Sequence, residues 1–203
     1  MIEPSRPATP SPRRALTRRR FALGPTVAIA LLVGVAAAGA HADQRSSALP
    51  SLFEALAETS DANEAARLEG RIWQEWFVAP DEASGRLLSR LSAAMRGGEL
   101  DRALALADEL VEGAPEFAEG WNRRATLHYL RGDDDLSVRD IRETLALEPR
   151  HFGAISGLGL IFLRRGDLEA ALDAFEQVLR ISPASRSARR SVESIRRELG
   201  REI

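Results

Sequence analysis

The sequence predicts an all-α fold assembled from repeated helical hairpins, and three observations carry that expectation. Pro115, Pro149 and Pro183 stand 34 residues apart, and so do Gly98, Gly132 and Gly166. Ala and Leu dominate the apolar residues while aromatics make up only 5% of the chain, a mixture that suits closely approaching helices. Between the Gly and Pro marks, apolar residues recur at spacings of three and four, as in Leu168, Ala171, Leu172, Phe175, Val178 and Leu179.

Aligning the marks divides the middle of the chain into units 84–117, 118–151 and 152–185. Ala103, Ser137 and Ala171 then occupy one equivalent position, and Leu91, Ala125 and Gly159 another. Each column has a physical reason. The Gly that follows the first helix of a unit can take the left-handed conformation that ends it. Asp133 and Asp167, with Glu99 as the weaker counterpart, stand where a carboxylate can cap the second helix. Small residues mark the crossing of paired helices, where a larger side chain would push them apart. Proline stops the second helix, because it lacks a donor and clashes with the preceding turn.

The period and these residues resemble the tetratricopeptide repeat (TPR) family, whose units carry an early aromatic, a small residue four positions on, Gly-Asp at the turn and a closing Pro. Unit 118–151 shows Trp121, Ala125, Gly132-Asp133 and Pro149; unit 152–185 shows Leu158-Gly159, Gly166-Asp167, Ala171, Phe175 and Pro183. Unit 84–117 is degenerate, with Leu87 for the aromatic and Leu91 for the small residue. The resemblance implies a right-handed α-α superhelix, a TPR solenoid of about three clear repeats.

Both flanks read as helical. Residues 184–199 form an expected capping helix, with Val192, Ile195 and Leu199 on one side and Arg189, Arg190, Arg196 and Arg197 on the other. Upstream, within residues 43–80, Leu49–Glu58 and Asp61–Val78 read as a divergent helix pair. Its apolar side is Leu52, Phe53, Leu56, Leu68, Ile72, Trp73, Trp76 and Phe77, and it is expected to close the N-terminal end of the core. Pro80-Asp81 separates it from the TPR domain, 81–203.

Residues 1–42 read as an export signal. Arg6, Arg13, Arg14, Arg18, Arg19 and Arg20 precede an uncharged run from Phe21 to Ala40, and Ala40-His41-Ala42 supplies a small-x-small cleavage site before Asp43. Thr17-Arg18-Arg19-Arg20-Phe21-Ala22-Leu23 resembles a twin-arginine signal, so both the general secretory and the twin-arginine route stay open. An uncleaved inner-membrane anchor is the alternative, weakened by Gly24, Pro25, Gly34 and Gly39 in the run. Either way the repeats are expected in the periplasm or otherwise outside the cytoplasm. Removal of the segment takes six Arg and one Glu from the 28 basic and 30 acidic residues, leaving 22 and 29. That acidic balance argues against a nucleic-acid partner.

Chemistry is sparse. Cysteine is absent, which excludes disulfides and thiolate sites. His128 falls where TPR units place an aromatic, and His151 lies in a turn between units with no role assigned. Asp133-Asp134-Asp135 lacks the spaced ligands of a calcium loop. The chain has no phosphate loop or nucleophile motif, so no enzyme, cofactor or metal is expected.

The expected function is therefore protein binding: a scaffold or assembly factor of the bacterial cell envelope that holds a peptide or helix. In TPR domains the first helices of successive units line a concave groove. By that resemblance the groove residues here are Leu88, Ser92 and Met95; Asn122, Arg123, Thr126 and Tyr129; then Ser156, Leu160 and Leu163. The chaperone-binding TPR subclass grips a carboxylate with basic residues, but here Lys is absent and Gly153 and Gly157 stand where such residues would be needed. The alternative is a self-associating module joined through an exposed apolar face at Trp73 and Trp76.

Overall fold

The computed structural model describes residues 46–200, and the expected export segment lies outside them. Nine α-helices follow one another among the described residues: α1 (Leu49–Glu58), α2 (Ala62–Trp76), α3 (Glu82–Arg96), α4 (Leu100–Gly113), α5 (Ala118–Arg131), α6 (Asp134–Leu147), α7 (Phe152–Arg165), α8 (Leu168–Ile181) and α9 (Arg186–Glu198). None is long and apolar enough to cross a membrane.

The pairs α3–α4, α5–α6 and α7–α8 are the three repeat hairpins, and each packs on the next as a TPR solenoid does. Their turns use the glycine column. Gly98, Gly132 and Gly166 have φ of 71°, 85° and 73°, a conformation open at low cost only to glycine. The small-residue columns lie at the helix crossings. Ala103, Ser137 and Ala171 are buried, and Ser137 Oγ donates to Ala125 O across its hairpin at 2.8 Å. A Cβ on Gly159 would come within 2.8 Å of the Phe175 ring, so that helix pair can approach only because the position is bare.

Helix capping follows the sequence in part. Asp167 accepts from Ala170 N–H at 3.0 Å, as expected. Asp133 and Glu99 do not cap their helices. Each carboxylate is drawn instead to a nearby guanidinium, Asp133 to Arg131 at 3.5 Å and Glu99 to Arg102 at 2.8 Å. Upstream, Asp61 caps α2 and Asp81 caps α3.

At the C-terminal end, α9 packs Val192 and Ile195 against Ala171, Leu172 and Phe175, closing the array. Its Arg residues are engaged locally. Arg196 pairs with Glu176, and Arg189 donates twice to Pro183 O.

The N-terminal hairpin is elsewhere than expected. α1 and α2 pack on each other, but α2 does not stack on α3 as successive repeat helices do. Leu49, Leu52, Phe53, Leu68, Ile72 and Trp76 share a core instead with Phe152 and Ile155 of α7, Ala174 and Val178 of α8, and Ala184 and Ala188. The hairpin therefore reaches past the first unit and seats on the third. Two polar contacts fix its far edge: Ser182 Oγ donates to Glu69 Oε1, and Arg186 Nη2 donates to Asn63 Oδ1, both at 2.8 Å. The chain closes its core sideways because this face offers buried apolar partners, whereas the outer side of α3 carries Glu82, Arg86, Arg90 and Arg96.

Candidate protein-binding site

The first helices α5 and α7 lie side by side and present a common face. Its lower part begins at Glu119, in the first turn of α5, where the positive end of the helix favours a carboxylate. Glu119 is fully buried and satisfied by three groups. Asn122 Nδ2 donates at 2.9 Å, Arg123 Nε at 2.5 Å, and His151 Nε2 lies at 3.3 Å. A buried carboxylate is tolerable only with such a partner set.

His151 is fully buried as well. Its Nδ1 accepts from Ala154 N–H at 3.1 Å, capping α7. That bond assigns the proton to Nε2, which then points at Glu119. On its flat side the imidazole stacks on Trp76, with ring centroids 4.0 Å apart and planes 8° from parallel.

Trp76 brings α2 with it. Trp73 meets His151 and Phe152 edge-on, at 5.3 and 5.7 Å between centroids. The bare backbone at Gly153 admits the Trp73 indole, since a Cβ there would stand 2.6 Å from its ring. Arg123 lies over the Phe77 ring at 4.4 Å and Arg150, paired with Glu148, over Phe53 at 4.0 Å. One polar atom of this aromatic cluster goes without. Trp76 Nε1 is buried and has no hydrogen-bond partner among the described residues.

The upper part of the same face is open. Leu130 on α5 and Leu160 on α7 are 55% and 42% exposed. Tyr129 and Leu163 are half-buried beside them. Arg164 ties the two helices together: its guanidinium lies 3.9 Å from the Tyr129 ring centroid and donates to Tyr129 O at 3.0 Å. Thr126 is exposed and Ser156 half-buried, and their hydroxyls donate to their own helices, at Asn122 O and Phe152 O.

The expected groove residues thus separate into groups. Thr126, Tyr129, Leu160 and Leu163 stand on the open upper face, and Ser92 and Met95 are half-buried on α3. Leu88 is buried in the core of the first unit and cannot contact a partner. Asn122 and Arg123, expected in the groove, are held instead by the buried carboxylate of Glu119. The apolar face expected for self-association is largely turned inward: Trp76 is 1% exposed, and Trp73 is half-buried against His151 and Phe152. Sequence reasoning missed His151 and Gly153. Their signal was complementarity: a bare first helix in the third unit, and aromatic residues upstream with no partner of their own.

His128 is a core residue, its Nε2 3.7 Å from Asp140, which Arg124 holds with two further bonds. Asp134 and Asp135 pair with Arg164 and Arg165.

Comparison with known proteins settles the family. A TPR repeat-containing protein of Rhizobium etli is 34% identical over 151 residues, spanning 74% of each chain. This chain belongs to the tetratricopeptide repeat family. The family model for a tetratricopeptide repeat matches residues 88–141 and 135–186, in accord with the repeat register. Among solved structures, the Sgt2 TPR domain from Aspergillus fumigatus is similar at 25% identity and TM-score 0.55, over 60% of this chain and 82% of that one. The first TPR of Spaghetti (RPAP3), bound to an HSP90 peptide, matches at 20% identity and TM-score 0.55, over 58% of this chain and 93% of that one.

Proposed function

We propose that this TPR chain is a non-enzymatic scaffold or assembly factor of the bacterial cell envelope that holds a protein partner on the open upper face of α5 and α7. The observation that carries the reading is the exposure of Leu130 and Leu160 around the Tyr129–Arg164 contact. Large apolar side chains left exposed on two helices that pack side by side cost solubility and are accounted for by a partner. A ring with a cation stacked on it gives a flat, amphipathic anchor of the kind that dominates interface energies. The peptide bound by the RPAP3 repeat accords with this use of the fold. Export rests on the basic, apolar and small-residue order of residues 1–42.

The test uses the exported chain as bait against an envelope fraction of the producing cell. Leu130→Ser with Leu160→Ser should abolish capture of the partner at an unchanged melting temperature, because both side chains are exposed. Arg196→Ala with Arg197→Ala should retain it. Capture lost only in the arginine variant would make α9 the site and contradict the reading.

A further inference from the structure

We infer that the lower part of this face is a second binding seat, built for an amphipathic helix bearing two aromatic side chains one turn apart, which α2 fills at rest and a partner helix of that chemistry takes by displacing it. The inference rests on the reading of the α5–α7 face as the binding face, and adds to it a distinct site and partner class.

The seat is specific on the page. Gly153 leaves room for the edge of one indole against the first turn of α7. His151 offers a ring for the second, held in its plane by Ala154 N–H on one side and Glu119 on the other. Arg123 stands over a third aromatic, Phe77, at the end of the helix. Trp73 and Trp76 are spaced by three residues, so they project from one side of α2, and the seat reads that spacing.

The resting occupant is replaceable on three grounds. α2 does not stack on α3, so the contacts among the three repeat hairpins do not run through it, and its departure opens only the core it shares with α7, α8 and α9. The connection from Phe77 to Asp81 is short and exposed at Val78 and Pro80. Trp76 also enters the seat with Nε1 buried and unpaired, so a helix with Phe at that position fits without the unmet donor. Tethering gives the built-in hairpin a high effective concentration, so a partner must carry a matched pair of aromatics to compete.

The probe is a fluorescent synthetic peptide of residues 46–78, titrated by anisotropy into three full-length chains. The second carries Trp73→Ala with Trp76→Ala, loosening its own hairpin. The third carries Asn63→Cys with Arg186→Cys joined by a bismaleimide; both positions are exposed and in contact, and the chain has no other cysteine. The Trp-less chain should bind the peptide at least tenfold more tightly than wild type, and the tethered chain should not bind it. A peptide with both Trp replaced by Ala should bind none of them. Equal binding to tethered and wild-type chains, or no binding to either the wild-type or the Trp-less chain, overturns the inference. If the Trp-less chain fails to fold, wild-type binding that the tether abolishes supports the seat, and binding that survives it contradicts it. Failure here leaves the Leu130 and Leu160 test untouched, since those residues lie outside the seat.

Discussion

Trp76 and His151 lie in parallel contact, 4.0 Å between ring centroids, although one belongs to the N-terminal hairpin and the other to the turn between the second and third repeats. This pair joins an apolar helix to a buried polar group, and most of the seat's behaviour follows from it. Trp76→Ala removes the largest buried side chain of the hairpin and should destabilise the protein by about 3–5 kcal/mol. Trp76→Phe keeps a ring on His151 and removes the unpaired N–H, so its loss should be at least about 1 kcal/mol smaller. Urea titration of both variants checks this; equal losses would mean that the indole nitrogen is satisfied in solution.

His151 links three structures at once: the cap of α7, the Glu119 cluster and the Trp76 stack. His151→Ala should cost about 2–4 kcal/mol, the sum expected for a lost cap and a weakened buried carboxylate. His151→Asn can still cap Ala154 and should recover about 1 kcal/mol of that. If the two substitutions melt alike, the cap contributes nothing.

Gly157 and Gly159, two residues apart on α7, should behave oppositely. A Cβ at Gly159 meets Phe175 at 2.8 Å, while at Gly157 its nearest neighbour is Ile141 at an ordinary 3.5 Å. Gly159→Ala should destabilise by about 1–3 kcal/mol through overpacking. Gly157→Ala should be neutral or stabilising by up to about 1 kcal/mol, as a helix-interior Gly→Ala change is. Thermal melts in the reverse order would shift the repeat register.

Acid should loosen the caps of α2 and α3. The backbone N–H groups of Glu64 and Asn63 hold the Asp61 carboxyl below its ordinary value of 3.8, and the backbone N–H and hydroxyl of Ser84 do the same for Asp81. Folding lowers both values, so the ionised caps contribute stability above the unfolded pKa and lose it as pH falls through the folded one. Asp61→Asn with Asp81→Asn keeps the capping geometry but not the titration. Its melting temperature should fall less steeply than wild type below about pH 4, and run parallel above it. An unchanged acid slope would show that the caps do not titrate with folding.

The repeat array was legible because its determinants are local. Gly132 and Gly166 at positive φ, the closing prolines, and the small residues at crossings each act within one hairpin, and recur every 34 residues. The register also puts Thr126 and Tyr129 on α5 and Leu160 and Leu163 on α7, the first helices of their units. The lower face was not legible. Whether Asn122 and Arg123 are free depends on Glu119 and His151, 32 residues apart, and on a hairpin whose docking partner no period specifies. Trp73, Trp76 and Phe77 read correctly as apolar and helical, yet an amphipathic stripe does not say which surface it will cover.

The measurement that bears most directly on the account is the distance between residues 63 and 186, read by paired spin labels on introduced cysteines in the otherwise cysteine-free chain. Arg186 donates to Asn63 at 2.8 Å, so the 63–186 pair should give a single distribution at the short end of the accessible range, and the 63–90 pair a clearly longer one. A short 63–90 distance with a long 63–186 distance would place the hairpin on the outer side of α3, leave the α5–α7 seat open, and contradict the account.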